Sequence, residues 1–199
     1  MSFQVKRSPI LSFLSGGFMR LSFYYFLTFL LLPFTSLLSQ SGNTYIGAES
    51  CGMCHKSEKQ GSQLSIWQNS AHSKAFEILK TDSANKIAKE KGFNEPAAET
   101  WECLKCHVTG YNLDATMLGE KFKIEDGVQC ETCHGAGSAY KDMKIMKDKN
   151  LAISNGLIVH DNLEEFCVSC HNNESPTFVK FDINEAWDKI KHNIPEEKK

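Results

Sequence analysis

The chain has 199 residues, with 22 Lys and Arg against 24 Asp and Glu, for a net charge of −2. That length suits one domain, and the near-neutral balance lacks the basic footprint of a nucleic-acid binder. Eight cysteines and seven histidines are the part of the composition that demands a chemical explanation.

Residues 1–41 differ in character from the rest. Lys6, Arg7 and Arg20 are the only charges before Glu49, and Leu21 to Leu32 is a dense apolar run containing Phe23, Tyr24, Tyr25, Phe26 and Phe29. Ser39 and Ser41 stand in the −3/−1 relation of a cut after Ser41. A basic start, a short apolar core and a small-residue exit predict a secretory signal peptide, with Met19 as an alternative start. The competing reading is an uncleaved membrane anchor. Leu21 to Leu38 just reaches the lower limit for a span, and Pro33 interrupts it. With no cysteine nearby, a lipoprotein anchor is excluded. Cleavage leaves residues 42–199 as the working domain, with 19 basic against 24 acidic residues and a net charge of −5.

After a linker containing Gly42, Asn43 and Gly47 comes Cys51-Gly52-Met53-Cys54-His55. Leu64, Trp67, Ala71, Ala75, Phe76 and Leu79 then recur at helical spacing, with His72 on the same stripe. Asp82 or Ser83 is positioned to cap a further helix ending at Gly92, and Asn94 to Ala98 reads as a loop. Cys103-Leu104-Lys105-Cys106-His107 opens a helical stretch over Trp101 to Tyr111. Lys121 to Ile124 alternates with period two, as one arm of a small hairpin.

Cys130-Glu131-Thr132-Cys133-His134 follows, with Gly135 and Gly137 placed for a close backbone approach to a porphyrin or for a helix C-cap. Ser138 to Lys149 reads as a helix whose lysines form a solvated face or a docking patch for an acidic redox partner. Cys167-Val168-Ser169-Cys170-His171 is the fourth pentapeptide. Asp182 caps a final helix with Ile183, Ala186, Trp187 and Ile190 on one stripe, stopped by Pro195. His192 falls off that stripe.

All four pentapeptides read C-x-x-C-H, the attachment pattern of c-type haem, and they use every cysteine. Positions i, i+3 and i+4 share a helical face. Two thiols can form thioethers to one porphyrin while the histidine ligates its iron. A zinc ribbon requires no histidine directly after the second cysteine, and disulfides leave all four histidines unexplained. A thioredoxin-like site needs a βαβ context that is missing here. The first cysteines lie 52, 27 and 37 residues apart, which excludes a fixed-period solenoid. The expected fold is mainly α, with short helices and loops wrapped around four covalently bound haems c. A domain with roughly 40 residues per haem must build its core around porphyrins.

His55, His107, His134 and His171 are then the proximal ligands, leaving His72, His160 and His192 as candidate distal ligands. Three histidines cannot complete four irons. The fourth haem is open, or Met117, Met143, Met146 or a lysine completes it; Met53, inside its own attachment loop, is badly placed. A closed low-spin iron suits electron transfer, and an open one can bind a small molecule.

Trp67-x-x-Ser70-x-His72-x-x-Ala75, Cys106-His107-Val108-Thr109-Gly110-Tyr111, Gly127-Val128-Gln129 leading into Cys130 to Gly135, and Cys170-His171 through Phe178 with Lys191-His192 resemble the tetrahaem cytochrome c-554 family, over about Tyr45 to His192. The resemblance implies a periplasmic electron carrier with closely packed haem pairs. It implies three bis-histidine haems and a five-coordinate second haem, here at Cys103, Cys106 and His107, with Pro176-Thr177-Phe178 walling its open face. Its implied partners are redox proteins, namely a multihaem enzyme and a quinone-linked membrane cytochrome. An electron carrier is the leading expectation. The alternatives are a nitrogen- or sulfur-oxide reductase acting at the open haem and a nitric oxide-binding cytochrome.

Overall fold

Residues that stop helices recur every few positions in this chain, so its helices are short. The computed structural model describes residues 42–192; the expected signal peptide and Pro195 lie outside them. Within that span the α-helices are α1 Ala48–Gly52, α2 Gln63–Asn69, α3 Ala75–Leu79, α4 Asp82–Glu90, α5 Trp101–His107, α6 Cys130–His134, α7 Met143–Met146, α8 Lys149–Ser154, α9 Leu163–Val168 and α10 Ile183–Ile190. Six single-turn 3-10 helices lie between them. Among the described residues the β pairing is one isolated parallel bridge, Tyr45 with Leu118. No helix among the described residues is long and apolar enough to cross a membrane. The fold is mainly α, as the sequence predicts.

Several boundaries differ from the sequence reading, each for a local reason. The stripe from Leu64 to Leu79 is broken at Ser70, whose backbone is extended (φ −81°, ψ 164°). There the Ser70 hydroxyl donates to the Trp67 carbonyl at 2.7 Å, and the Ser73 hydroxyl donates to Gln68 and Ser70 carbonyls. Side-chain hydroxyls that satisfy carbonyls in this way compete with helix continuation. The break frees the His72 carbonyl to accept from Val128 N–H at 3.0 Å.

The cap of α4 is Thr81 rather than Asp82 or Ser83: its hydroxyl accepts from Ala84 N–H at 3.2 Å. Part of the expected 94–98 loop is a 3-10 turn, Ala97–Glu99, docked through Ala97 N–H to Asn85 Oδ1. The second helical stretch ends at His107, because Val108 turns extended. Lys121 to Ile124 forms no hairpin. The neighbouring segment pairs instead with the chain before α1, through Tyr45 N–H to Met117 O and Gly119 N–H to Tyr45 O. Ser138 to Lys149 is not one helix either, since Asp142 and Asp148 each cap a new start at α7 and α8.

The apolar core is small. Phe76, Leu79, Ala88, Ala97 and Val108 form it, with Phe93, Leu104 and Ile124 packed against them. It joins α3, α4 and α5 and therefore fixes the second pentapeptide. From residue 153 to residue 192 no described side chain is buried. That segment carries Ile158, Val159, Val168, Val179, Phe181 and Trp187 exposed beside His160, His171 and His192.

Candidate haem-binding site

Each pentapeptide lies on a helical turn. The second lies wholly within α5, and the third is the whole of α6. The first and fourth straddle the ends of α1 and α9, yet His55 N–H reaches the Cys51 carbonyl at 3.1 Å and His171 N–H the Cys167 carbonyl at 2.9 Å. All four therefore set two cysteines and a histidine on one face, as i, i+3 and i+4 require.

The turns come together in pairs. The Cys51 thiol lies beside Cys130, and that hydrogen bond, then burial, pushes it up. Cys106 lies beside Cys170; burial, then the charge of Cys170, pushes the Cys106 thiol up to about 11. Motif 1 thus meets motif 3, and motif 2 meets motif 4. Burial pushes Cys133 up to about 11, with Cys130, Cys167 and Cys170 adding to the effect, so the pairs also approach each other.

Of the candidate distal histidines, two face a proximal one. The His72 and His171 rings are 6.0 Å apart between centroids, and His134 and His192 are 5.9 Å apart. His192 gets there because α10 ends at Ile190 and Lys191 is extended (ψ 145°), which turns the chain out of the helical stripe. His160 is not set against a proximal histidine. It stacks on Phe166 at 3.9 Å, and its Nε2–H donates to the Cys133 carbonyl at 2.8 Å. Among the described residues no second imidazole stacks on His107, whose Nδ1–H donates to Ala75 O at 2.8 Å and leaves Nε2 to ligate. Met53 and Met143 are both 62% exposed.

Partial desolvation lowers the pKa of His72, His134, His171 and His192 below the ordinary imidazole value, with neighbouring imidazoles adding to it. The neutral ring is the ligating form.

A polar frame that sequence reasoning did not single out holds motifs 1 and 3 in contact. Gln129 and Glu131 are each 1% exposed. Gln129 Oε1 accepts from Ala48 N–H at 2.9 Å, its Nε2 donates to Lys123 O, and its own N–H donates to Thr109 Oγ1. Trp67 Nε1–H donates to Val128 O at 2.8 Å, tying α2 to the entry of α6. Tyr140 donates to the carbonyls of His134 and Gly135. Gly135 has φ +75° and ψ 173°, and a Cβ there would lie 2.8 Å from Gly156 O. Gly135 caps the C-terminal end of α6. The available signal was the cluster Gly127, Gly135 and Gly137 around one turn, which marks backbone packed too closely for side chains.

Motifs 2 and 4 are joined at the surface. Lys105, inside motif 2, pairs with Glu174 at 2.5 Å, and Lys91 Nζ donates to Glu174 O at 3.0 Å. The Lys105 hydrogen bond holds the Glu174 carboxyl below the usual range. These contacts tie Glu174 to the turn of motif 2 and to the end of α4, while Phe178 lies edge-on to Phe181.

These residues fit haem c. Two imidazoles on opposite sides of one iron, each with a metal–nitrogen bond of about 2 Å, place their ring centroids about 6 Å apart. Both observed pairs have that span. His134 Nδ1 is a buried nitrogen without a hydrogen-bond partner. Among the described residues no three of His, Cys, Asp and Glu converge as ligands of a single metal ion.

Four C-x-x-C-H turns on a helical chain, with imidazoles facing one another, are the arrangement that covalent haem c attachment requires. Residues 50–135 match the family model described as cytochrome c554 and c-prime. The cytochrome c-554 of Nitrosomonas europaea is 34% identical over 143 residues, covering 64% of this chain. The matched part spans 57% of that relative's length. No solved structure gave a significant match. Over these residues the chain is similar to the cytochrome c-554 family. The family-model match covers the first three pentapeptides and ends before the fourth.

Proposed function

We propose that this chain is a periplasmic electron carrier holding four haems c, one on each pentapeptide, and passing electrons between redox partner proteins. The observation that carries the reading is the pairing of the turns, Cys51 beside Cys130 and Cys106 beside Cys170, with Cys133 near Cys167 and Cys170. Four attachment turns in one contiguous cluster suit internal relay, because transfer between centres falls off with separation and the protein's part is to fix positions and tune electronics.

Haem c supplies the one-electron iron couple. The chain's own residues do the rest in this reading. His55, His107, His134 and His171 ligate from the attachment side, and the eight cysteines Cys51, Cys54, Cys103, Cys106, Cys130, Cys133, Cys167 and Cys170 hold the rings. His72 completes the motif 4 centre and His192 the motif 3 centre, as their ring separations support. His160 is the remaining distal candidate for motif 1, whose partner turn it adjoins through Cys133. That leaves the motif 2 centre without a second histidine, under the loop that Lys105 and Glu174 hold down. The signal sequence read over residues 1–41 supports export, where c-type haem is attached. The partners are a multihaem enzyme as donor and a quinone-linked membrane cytochrome as acceptor.

The test is the haem content and redox behaviour of the mature protein. Four covalent haems that reduce and reoxidise reversibly without consuming a substrate support the proposal. One or two haems in a fully matured sample overturn it.

A further inference from the structure

Glu131 lies between the two attachment cysteines of motif 3 and is 1% exposed. Its Oε1 accepts from Ile46 N–H at 2.8 Å and from Gly137 N–H at 2.7 Å. Its Oε2 accepts from Gly47 N–H at 2.8 Å and from Ile46 N–H at 3.0 Å. Three backbone N–H groups thus converge on one side chain, and both of its oxygens act only as acceptors. That is the arrangement of a carboxylate; an amide in its place would turn an NH2 group against N–H donors. None of the ion pairs among the described residues involves Glu131. Its charge is solvated by peptide dipoles and not cancelled by a cation.

Its position connects this charge to two haem sites. Ile46 and Gly47 lead directly into α1, which carries Cys51, while Glu131 itself belongs to α6. The carboxylate is therefore wedged between the turns of motifs 1 and 3. A buried charge in low dielectric acts more strongly and is screened far less than a surface one. Oxidised haem iron carries one more positive charge than reduced iron, so a fixed anion stabilises the oxidised state.

We propose that Glu131 is a built-in negative charge that lowers the reduction potentials of the haems held by motifs 1 and 3. The proposal rests on the four-haem reading above, and it makes Glu131 a positioning and tuning residue that touches no substrate.

The test compares the full mature protein with Glu131→Gln, Glu131→Leu and Glu131→Asp, in haem content and in spectroelectrochemical titration. Both neutral variants should raise two of the four midpoint potentials while Glu131→Asp, which keeps the charge, stays near wild type. Raising the ionic strength should leave the difference between Gln and wild type in place. Unchanged midpoints in a fully loaded Gln or Leu variant would overturn the proposal, as would an equal upward shift in Glu131→Asp. Failure of both neutral variants to load haem, with Glu131→Asp fully loaded, would also overturn it by making the carboxylate purely structural. Wild-type protein lacking four haems would instead sink the haem reading, before Glu131 enters.

Discussion

His72 shows how one residue changes meaning between sequence and fold. On an apolar stripe it is usually a core residue, yet here the helix breaks two residues before it and its ring faces His171 at 6.0 Å. Its backbone is clamped by Val128 N–H, and Gly127 passes so close that a Cβ would lie 2.7 Å from the His72 carbonyl. If His72 and His192 each complete an iron, His72→Ala and His192→Ala should each convert one low-spin centre to high spin. Electron paramagnetic resonance of the two variants checks this, and an unchanged spectrum in either variant removes that residue from the ligand set.

Glu174 makes a second prediction at the same scale. Its carboxyl is depressed by Lys105, so the contact contributes stability that is present above the ordinary carboxyl range and lost as pH falls through the depressed value. The melting-temperature difference between wild type and Glu174→Gln should therefore be steady above about pH 5 and close at lower pH. It should also shrink with added salt, because the pair is exposed. The same difference persisting well below pH 4.5 would contradict the assignment. Neither this pair nor the Glu131 nest was legible in the sequence. Lys105 and Glu174 are 69 residues apart, and Ile46 and Glu131 are 85 apart. Only the folded chain brings such partners together.

At the scale of elements, the attachment turns were fully legible and the helices between them only partly so. Covalent chemistry dictates C-x-x-C-H whatever surrounds it, whereas helix length depends on which polar groups intervene. Asp182 was readable as a cap and does accept from Asn184 and Glu185 N–H groups at 2.8 and 3.0 Å. Ser70 was not readable as a break, because the Trp67 indole that settles the local geometry bonds to Val128 across the fold. Gly135 carries the sharpest element-level prediction. Its φ and ψ lie in a region open essentially to glycine alone, so Gly135→Ala should cost about 1–3 kcal/mol from backbone strain. The nearby Gly156 carbonyl adds to that cost. Denaturant unfolding of the haem-loaded protein measures it, and a loss below a few tenths of a kcal/mol would mean that the α6 exit is not held as described.

The described residues have a small apolar core and a stretch from residue 153 to residue 192 in which no side chain is buried. That is the economy of a chain organised around groups other than its own side chains, in which bound prosthetic groups contribute folding energy directly. The four pentapeptides are not equivalent within it. Motifs 3 and 4 have an imidazole facing their own, while in motif 2 His107 bonds to the Ala75 carbonyl and Lys105 pairs with Glu174. The histidine count made from the sequence leaves one centre short, and among the described residues neither His55 nor His107 has a second imidazole stacked on it. The most direct test combines the intact mass of the mature protein with its electron paramagnetic resonance spectrum. The account predicts four covalent haems with a single high-spin centre that is lost in His107→Ala. Fewer than four haems, or four low-spin centres in the wild type, would contradict it.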